Sequence, residues 1–250
     1  MSSNNFGKDM VLIWSEDLGV EYVLGKNRIE AVKEADIRIL RGEYVAVTGL
    51  FGPARNCFLN VLGCLEKPNR GKYIFDYDDV VLLNKNELAG IRKDKIGFIF
   101  PSCNLFDEYS IRENIEFPLK YSSLKKPEKQ ALVEKAARRA GLDEDLALEV
   151  GSLTGFQKQK VAIARAVVHD PLLLIACEPA FNVNHDEAGE LMKLLDSLNR
   201  EGMAVILVSD KEQPAACAPR KIRFENGVIA ADEYDFSASC RREVCAACRE

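Results

Sequence analysis

The sequence predicts an α/β domain with at least part of its sheet parallel, and three observations carry that prediction. Short apolar runs alternate with helical patterns from one end of the chain to the other. Tyr44 to Thr48, Ile96 to Phe100, Leu172 to Ala176 and Ala204 to Val208 are near-continuously apolar, as strands covered on both faces are. A glycine-bearing turn joins the first of these runs to a helical stretch through Phe58-Leu59-Asn60-Val61-Leu62. Val11 to Trp14, Ala31 to Leu40, Lys72 to Phe75 and Lys221 to Phe224 alternate or are shorter, and suit an antiparallel flank or edge. Strands are scarce between Ser110 and Val168. There, Pro127 to Ala140 puts Ala131, Leu132, Ala136 and Ala140 on one helical face, and Gly141 stops the helix. Another helix starts near Phe156 with Val161, Ala164 and Val168 inward. A later one spans about His185 to Arg200, with Leu191, Leu194, Leu195 and Leu198 facing the core. The periodicity fades after about Ala231, and no internal repeat is present.

Composition narrows the class. The chain has 250 residues with 39 acidic against 34 basic side chains, a net charge of −5, which argues against a basic nucleic-acid binder. At 47% hydrophobic and 29% charged it has the material for a sizeable core and is no disordered chain. Its longest apolar stretches fall far short of the ~18 residues a membrane-spanning helix needs. The segment Met1 to Lys8 lacks the apolar core of a signal peptide, so the expected location is the cytoplasm and the eight cysteines are read as thiols.

Chemistry is most legible after Tyr44 to Thr48, where the chain reads Gly49-Leu50-Phe51-Gly52-Pro53-Ala54-Arg55-Asn56-Cys57. Strand, glycine turn and helix make the frame of a phosphate loop, GxxxxGK[ST], in which backbone N–H groups cradle phosphates, lysine neutralises them and the hydroxyl binds Mg²⁺. Here Ala54 replaces the second glycine, Arg55 the lysine and Asn56 the hydroxyl, and Pro53 removes a backbone donor.

Separated segments elsewhere extend the pattern. They are Tyr22 ahead of Ala31-Val-Lys-Glu-Ala-Asp-Ile-Arg-Ile, Ile96-Gly-Phe-Ile-Phe, Asn104-Leu-Phe-Asp-Glu-Tyr-Ser-Ile-Arg-Glu-Asn-Ile-Glu-Phe-Pro-Leu, Leu153-Thr-Gly-Phe-Gln-Lys-Gln-Lys-Val-Ala-Ile-Ala-Arg-Ala and Leu172-Leu-Leu-Ile-Ala-Cys-Glu-Pro. In order and spacing, about residues 10 to 230 resemble the ATP-binding subunits of ABC transporters, most closely the branch of lipoprotein release and macrolide export. The resemblance implies a P-loop NTPase fold of ABC ATPase type. That fold has a mixed parallel core sheet, an antiparallel β flank and a helical signature subdomain, here about 103–168 within an ATP-binding domain of 1–235. It also implies that Tyr22 stacks on adenine, that Gly49, Gly52, Ala54, Arg55, Asn56 and Cys57 form the phosphate turn, and that Thr154, Gly155 and Gln157 belong to the signature.

Departures from that pattern fall on the residues that would touch nucleotide, metal or water. Pro101 stands for the Q-loop glutamine and Cys177 for the Walker B aspartate; with Asn56 these are the degenerate Mg²⁺ positions, and a thiol suits that hard ion poorly. Glu178 matches the general base, Asp210 replaces the switch histidine, Phe156 replaces a signature glycine whose place a phenyl ring would obstruct, and Asn184 stands at the D-loop aspartate. Losing one ligand or supporting group typically costs ~10–100-fold in metal affinity or activity, so the expectation is weak ATP binding, doubtful Mg²⁺ binding and poor or absent hydrolysis. Arg55, Glu178 and Asp210 are expected to converge where a γ-phosphate would lie, with an ion pair closing the space.

Pairing in the family is head to tail, so the resemblance implies a homodimer or a heterodimer with an ABC ATPase. It also implies docking of a membrane permease beside Asn104 to Leu119, whose plainer role is to pack the helical lobe. The rival reading is an active transport ATPase with Glu178 as base and Asn56 lending an amide oxygen to Mg²⁺. The tail 236–250 contains Cys240, Cys245 and Cys248; its CxxC is half of a zinc or iron–sulfur site, against the alternative of an unstructured tail. His169 and His185 lack a paired ligand pattern.

Overall fold

A computed structural model describes residues 10–209 and 212–234, so Asp210 and the cysteine tail lie outside the described residues. The chain opens with β1 (Val11–Leu24), β2 (Asn27–Ala35), β3 (Arg38–Leu40) and β4 (Tyr44–Thr48), then α1 (Gly52–Leu62), β5 (Arg70–Phe75), β6 (Asp78–Asp79), α2 (Lys85–Lys95) and β7 (Ile96–Ile99). The helices α3 (Ile111–Glu116), α4 (Lys126–Arg139) and α5 (Gly155–Val167) follow, then β8 (Leu173–Cys177), α6 (His185–Arg200), β9 (Ala204–Val208), α7 (Glu212–Ala216), β10 (Arg220–Glu225) and β11 (Val228–Tyr234).

Two sheets result. One is antiparallel, ordered β2-β1-β5-β6 with β3 also on β1; the other is ordered β11-β10-β4-β9-β8-β7 and is parallel except for β11. Successive residues of the central strands feed opposite cores, as the two-residue period of a strand requires. Val45, Val47, Ile206 and Val208 join one core with β1, β2 and α1, while Tyr44, Ala46, Val205 and Leu207 join a second with α3 to α6. Coverage on both faces is why these strands carry no polar alternation.

Several elements differ from the sequence expectation. β1 is far longer than Val11 to Trp14: it pairs first with β5 and β3 and then with β2, through register shifts around Val20 that interrupt its alternation. Ala31 to Leu40 is not one run. The chain breaks between β2 and β3, where the buried Ser15 hydroxyl donates to the Ala35 carbonyl (2.9 Å) and accepts from Ile37 N–H (3.0 Å), so the groups released by the break stay satisfied. β10 is only half the expected antiparallel flank: it pairs antiparallel with β11 but parallel with β4, and its alternation records that only the side holding Ile222 and Phe224 is fully covered. α2 was not anticipated; an Asn84–Glu87 capping box starts it and Leu88 and Ile91 anchor it.

Between β7 and β8 the three helices carry no named strand. α4 puts Ala136 and Ala140 of the expected face in the second core with Leu132 half-buried against it, while Ala131 is exposed and Val133 and Ala137 are buried as well. Gly141 follows with φ +61°, the left-handed position that ends a helix without a Cβ penalty. α6 runs as expected, burying Leu191, Met192, Leu195 and Leu198. Each such side chain removed from water contributes about 1.5–3 kcal/mol.

Candidate functional site

The site forms at the carboxyl ends of adjacent parallel strands, the usual place for a ligand crevice in an open α/β sheet. β4 ends in Thr48 and the chain turns at Gly49, whose φ is +81°. A Cβ there would sit 1.9 Å from the Phe224 carbonyl oxygen, so both conformation and close backbone approach demand glycine. Gly52, at φ +51°, opens α1, with Pro53 in its first turn, no side-chain cap and no acidic residue in that turn. The helix therefore starts earlier than Phe58, and its first N–H groups and macrodipole face the turn. Ala54 and Cys57 are half-buried against the first core; burial, then the Glu66 carboxylate, push the Cys57 thiol up, so it stays protonated.

Arg55 leaves the first turn of α1 and donates from Nη1 to Glu178 Oε1 at 2.9 Å. Glu178, which follows β8, is buried at 8% exposure and adopts φ +44°. Its backbone N–H bonds the Val208 carbonyl (2.8 Å), and its second oxygen accepts from the Ser209 hydroxyl (2.9 Å). Helix start, β8 end and β9 end are thus joined by one carboxylate. The Arg55–Glu178 part of the expected convergence is present; Asp210 lies outside the described residues. Ser209 was missed, because nothing in the sequence links a serine after β9 to Glu178, 31 residues earlier.

The expected metal positions do not assemble oxygen ligands. Cys177 is the last residue of β8, 4% exposed, and its side chain belongs to the first core opposite Val208. Pro101 offers only its carbonyl, 3.5 Å from Gln159 Nε2, and Asn56 is exposed on α1. Among the described residues no cluster of three or more His, Cys, Asp or Glu side chains forms a metal site. Of these three positions the side chains offer a thiol and an amide and no carboxylate, the group by which proteins most often hold Mg²⁺.

Tyr22, half-buried on β1, lines a cavity of about 570 Å³ together with Lys33, Gly49, Phe51, Ala54 and Phe224. The cavity opens on the same turn that presents Arg55. The signature residues form a separate group: Thr154 caps α5, its Oγ1 accepting from Gln157 N–H (3.3 Å) while Gln157 Oε1 accepts from Thr154 N–H (2.8 Å). Gly155 is exposed as the first residue of that helix, and Gln157 Nε2 donates to Glu144 (2.9 Å). The Phe156 ring is half-buried against the second core with Lys160 Nζ 4.5 Å from its centroid. Asn184 caps α6 through a capping box with Glu187.

Asn104 to Leu119 divides its roles. Ile111, Ile115 and Leu119 pack the second core, while Phe106 and Phe117 are about 40% exposed, with centroids 4.9 Å apart. Buried Asn114 fixes the loop by accepting from Phe106 N–H (2.9 Å) and donating to its carbonyl (3.0 Å). A groove of about 560 Å³ lies here, lined by Phe98, Phe100, Phe106, Phe117, Arg92 and Arg165. Phe98, Phe100, Arg92 and Arg165 come from outside the segment, and only the fold brings them in.

Comparison with known proteins converges on one family. The family described as ABC transporter matches residues 32–181, more than half of the chain. A macrolide export ATP-binding/permease protein MacB from Marinobacter nauticus is 35% identical over 221 residues, 88% of this chain but 34% of that protein. The chain therefore spans about a third of the length of that relative. An ABC transporter ATP-binding protein, YknY of Bacillus subtilis, is 34% identical over 208 residues, covering 83% of this chain and 90% of that protein. Among solved structures, the ATP-binding cassette MJ0796 in a dimeric post-hydrolysis state bound to ADP and Pi superposes with a TM-score of 0.81 at 30% identity, over 90% of this chain and 99% of that one.

Proposed function

Because the chain belongs to the ABC transporter family as an ATP-binding domain of the macrolide-export or lipoprotein-release type, we propose that it serves there as a subunit impaired in Mg-ATP hydrolysis. The observation that carries this reading is the Arg55–Glu178–Ser209 arrangement. A general base must present its carboxylate to water beside phosphate and metal. Both Glu178 oxygens already accept hydrogen bonds, one from the cation that stands in the lysine's place. Cys177, Pro101 and Asn56 supply no replacement for the missing metal ligands, so no hydrolytic step is assigned to this chain. The domain extent 1–235, with its helical part about 103–168, belongs to the same reading.

Its role is then structural or regulatory, as partner of a membrane permease and of a second ATP-binding domain, either a copy of itself or an intact relative. Pairing is supported by the dimeric cassette that the fold matches. Permease docking is supported by the groove's exposed aromatic side chains, which suit an amphipathic helix. Among the described residues no helix is long and apolar enough to cross a membrane, so attachment at the cytoplasmic face would run through that permease. A metal site at Cys240, Cys245 and Cys248 lies outside the described residues and forms no part of the proposal.

Restoration tests the reading. A chain carrying Pro53→Ser, Ala54→Gly, Arg55→Lys, Asn56→Ser and Cys177→Asp is expected to gain Mg-ATP turnover that the natural chain lacks. Comparable turnover by both would overturn it in favour of an active transport ATPase.

A further inference from the structure

The antiparallel sheet has one face that neither core uses. Ile13, Ile39, Tyr73 and Phe75 belong to the first core, so strand alternation turns Trp14, Arg38, Lys72 and Ile74 the other way. Arg38 on β3 and Ile74 on β5 are the cross-strand neighbours of Trp14. With Val11, Leu12 and Tyr77 these residues line a cavity of about 570 Å³. Its two aromatic side chains remain in solvent, Trp14 at 36% and Tyr77 at 59% exposure. Each carries a cation: Lys72 Nζ lies 4.8 Å from the Trp14 ring centroid, and the Arg41 guanidinium 5.6 Å from that of Tyr77. Among the described residues no carboxylate lines the cavity, and Lys72 makes no ion pair although Glu16 stands opposite it on β1. The positive charge is therefore local, with Glu16 at its edge and a chain of net charge −5 behind it. That pattern suits a short acidic segment better than an anionic bilayer, which would meet the negative surroundings as well.

We propose that this face docks an acidic segment of a partner protein, one apolar side chain lying against Trp14 and Tyr77 and the flanking carboxylates reaching Arg38 and Lys72. The aromatic rings supply contact area, and the cations select the partner's sign. The face is separate from the Arg55–Glu178 site, so the inference stands whether or not that site hydrolyses ATP.

Trp14 is the chain's one tryptophan, so its emission reports on this face alone. The experiment titrates the full chain with the capped, dye-labelled peptide Glu-Glu-Leu-Glu-Glu, reading Trp14 emission and dye anisotropy. Expected is a saturable change in both, with a dissociation constant below about 1 mM. Replacing every Glu of the peptide by Lys should abolish it, and replacing Leu by Ser should weaken it about tenfold. In the protein, Arg38→Glu with Lys72→Glu should weaken binding about tenfold, and so should Trp14→Ala, read by anisotropy. Should a variant fold poorly, raising salt from about 0.05 to about 0.5 M on the natural chain tests the same charges and should weaken binding about fivefold. No saturable change, an equal response to the Lys peptide, or affinity that ignores both the charge reversal and salt overturns the proposal. Phosphatidylserine vesicles that shift Trp14 emission where the peptide does not would give the face to a membrane and also overturn it.

Discussion

Glu178 is held by neighbours on α1 and at the end of β9, and the energetic consequence is specific. Replacing Arg55 with alanine removes the cation from a carboxylate that is 8% exposed, and the cost should be about 1–3 kcal/mol in urea unfolding at neutral pH. Gly49 and Gly52 separate two kinds of glycine requirement. At Gly49 an added Cβ meets the Phe224 carbonyl oxygen at 1.9 Å, so Gly49→Ala should cost more than about 3 kcal/mol or prevent folding. At Gly52 the space is open and only φ +51° opposes a side chain, so Gly52→Ala should cost about 1–2 kcal/mol in the same assay. The turn's need for glycine was legible in sequence, because strand, glycine and helix signals fall in order. The partner oxygen from β10 was not, since it lies 175 residues further along, as 224 − 49 shows.

At the scale of elements, Asn184 is a test of cap against catalyst. It starts α6 by accepting from Glu187 N–H at 2.9 Å, so Asn184→Ala should lose about 1 kcal/mol of stability, while Asn184→Asp should keep the cap and remain within about 0.5 kcal/mol of the natural chain. The turn after β5 is tied to the end of α2 and the end of β3 by Asp76, which faces Lys95 at 2.6 Å and Arg41. Burial alone would raise its pKa, but Lys95 and Arg41 together outweigh that and hold it below the usual carboxylate range. A depressed folded pKa gives stability that is full above the unfolded value, about 3.9, and lost as pH falls through the folded one. The difference in unfolding free energy between the natural chain and Asp76→Asn should therefore stay flat from pH 7 to about 5 and shrink progressively below that. The central strands were legible because both faces are covered and nearly every residue is apolar. β1 and the β2–β3 break were not, since a bulge and a buried serine reset the period there. For β10, alternation reports which face is covered and says nothing about the direction of pairing.

For the molecule as a whole, the residue types that hold the fold follow the ABC pattern, and those that would hold metal and water depart from it. Both cores are closed, β4, β8 and β9 converge as they should, and α5 and α6 begin with complete capping boxes. Against that intact frame stand a buried thiol, a proline and an ion pair at the points where chemistry would occur. The family was legible in the sequence because motif order survives substitution, whereas the aromatic groove needed β7, α2 and α5 assembled around one segment. The central claim is that Glu178 does not act as a base, and the most direct measurement is phosphate release from Mg-ATP by the natural chain beside Glu178→Gln. The account predicts equal rates at the background of the assay; a natural rate exceeding the variant's by about a hundredfold, the scale of a working general base, would contradict it.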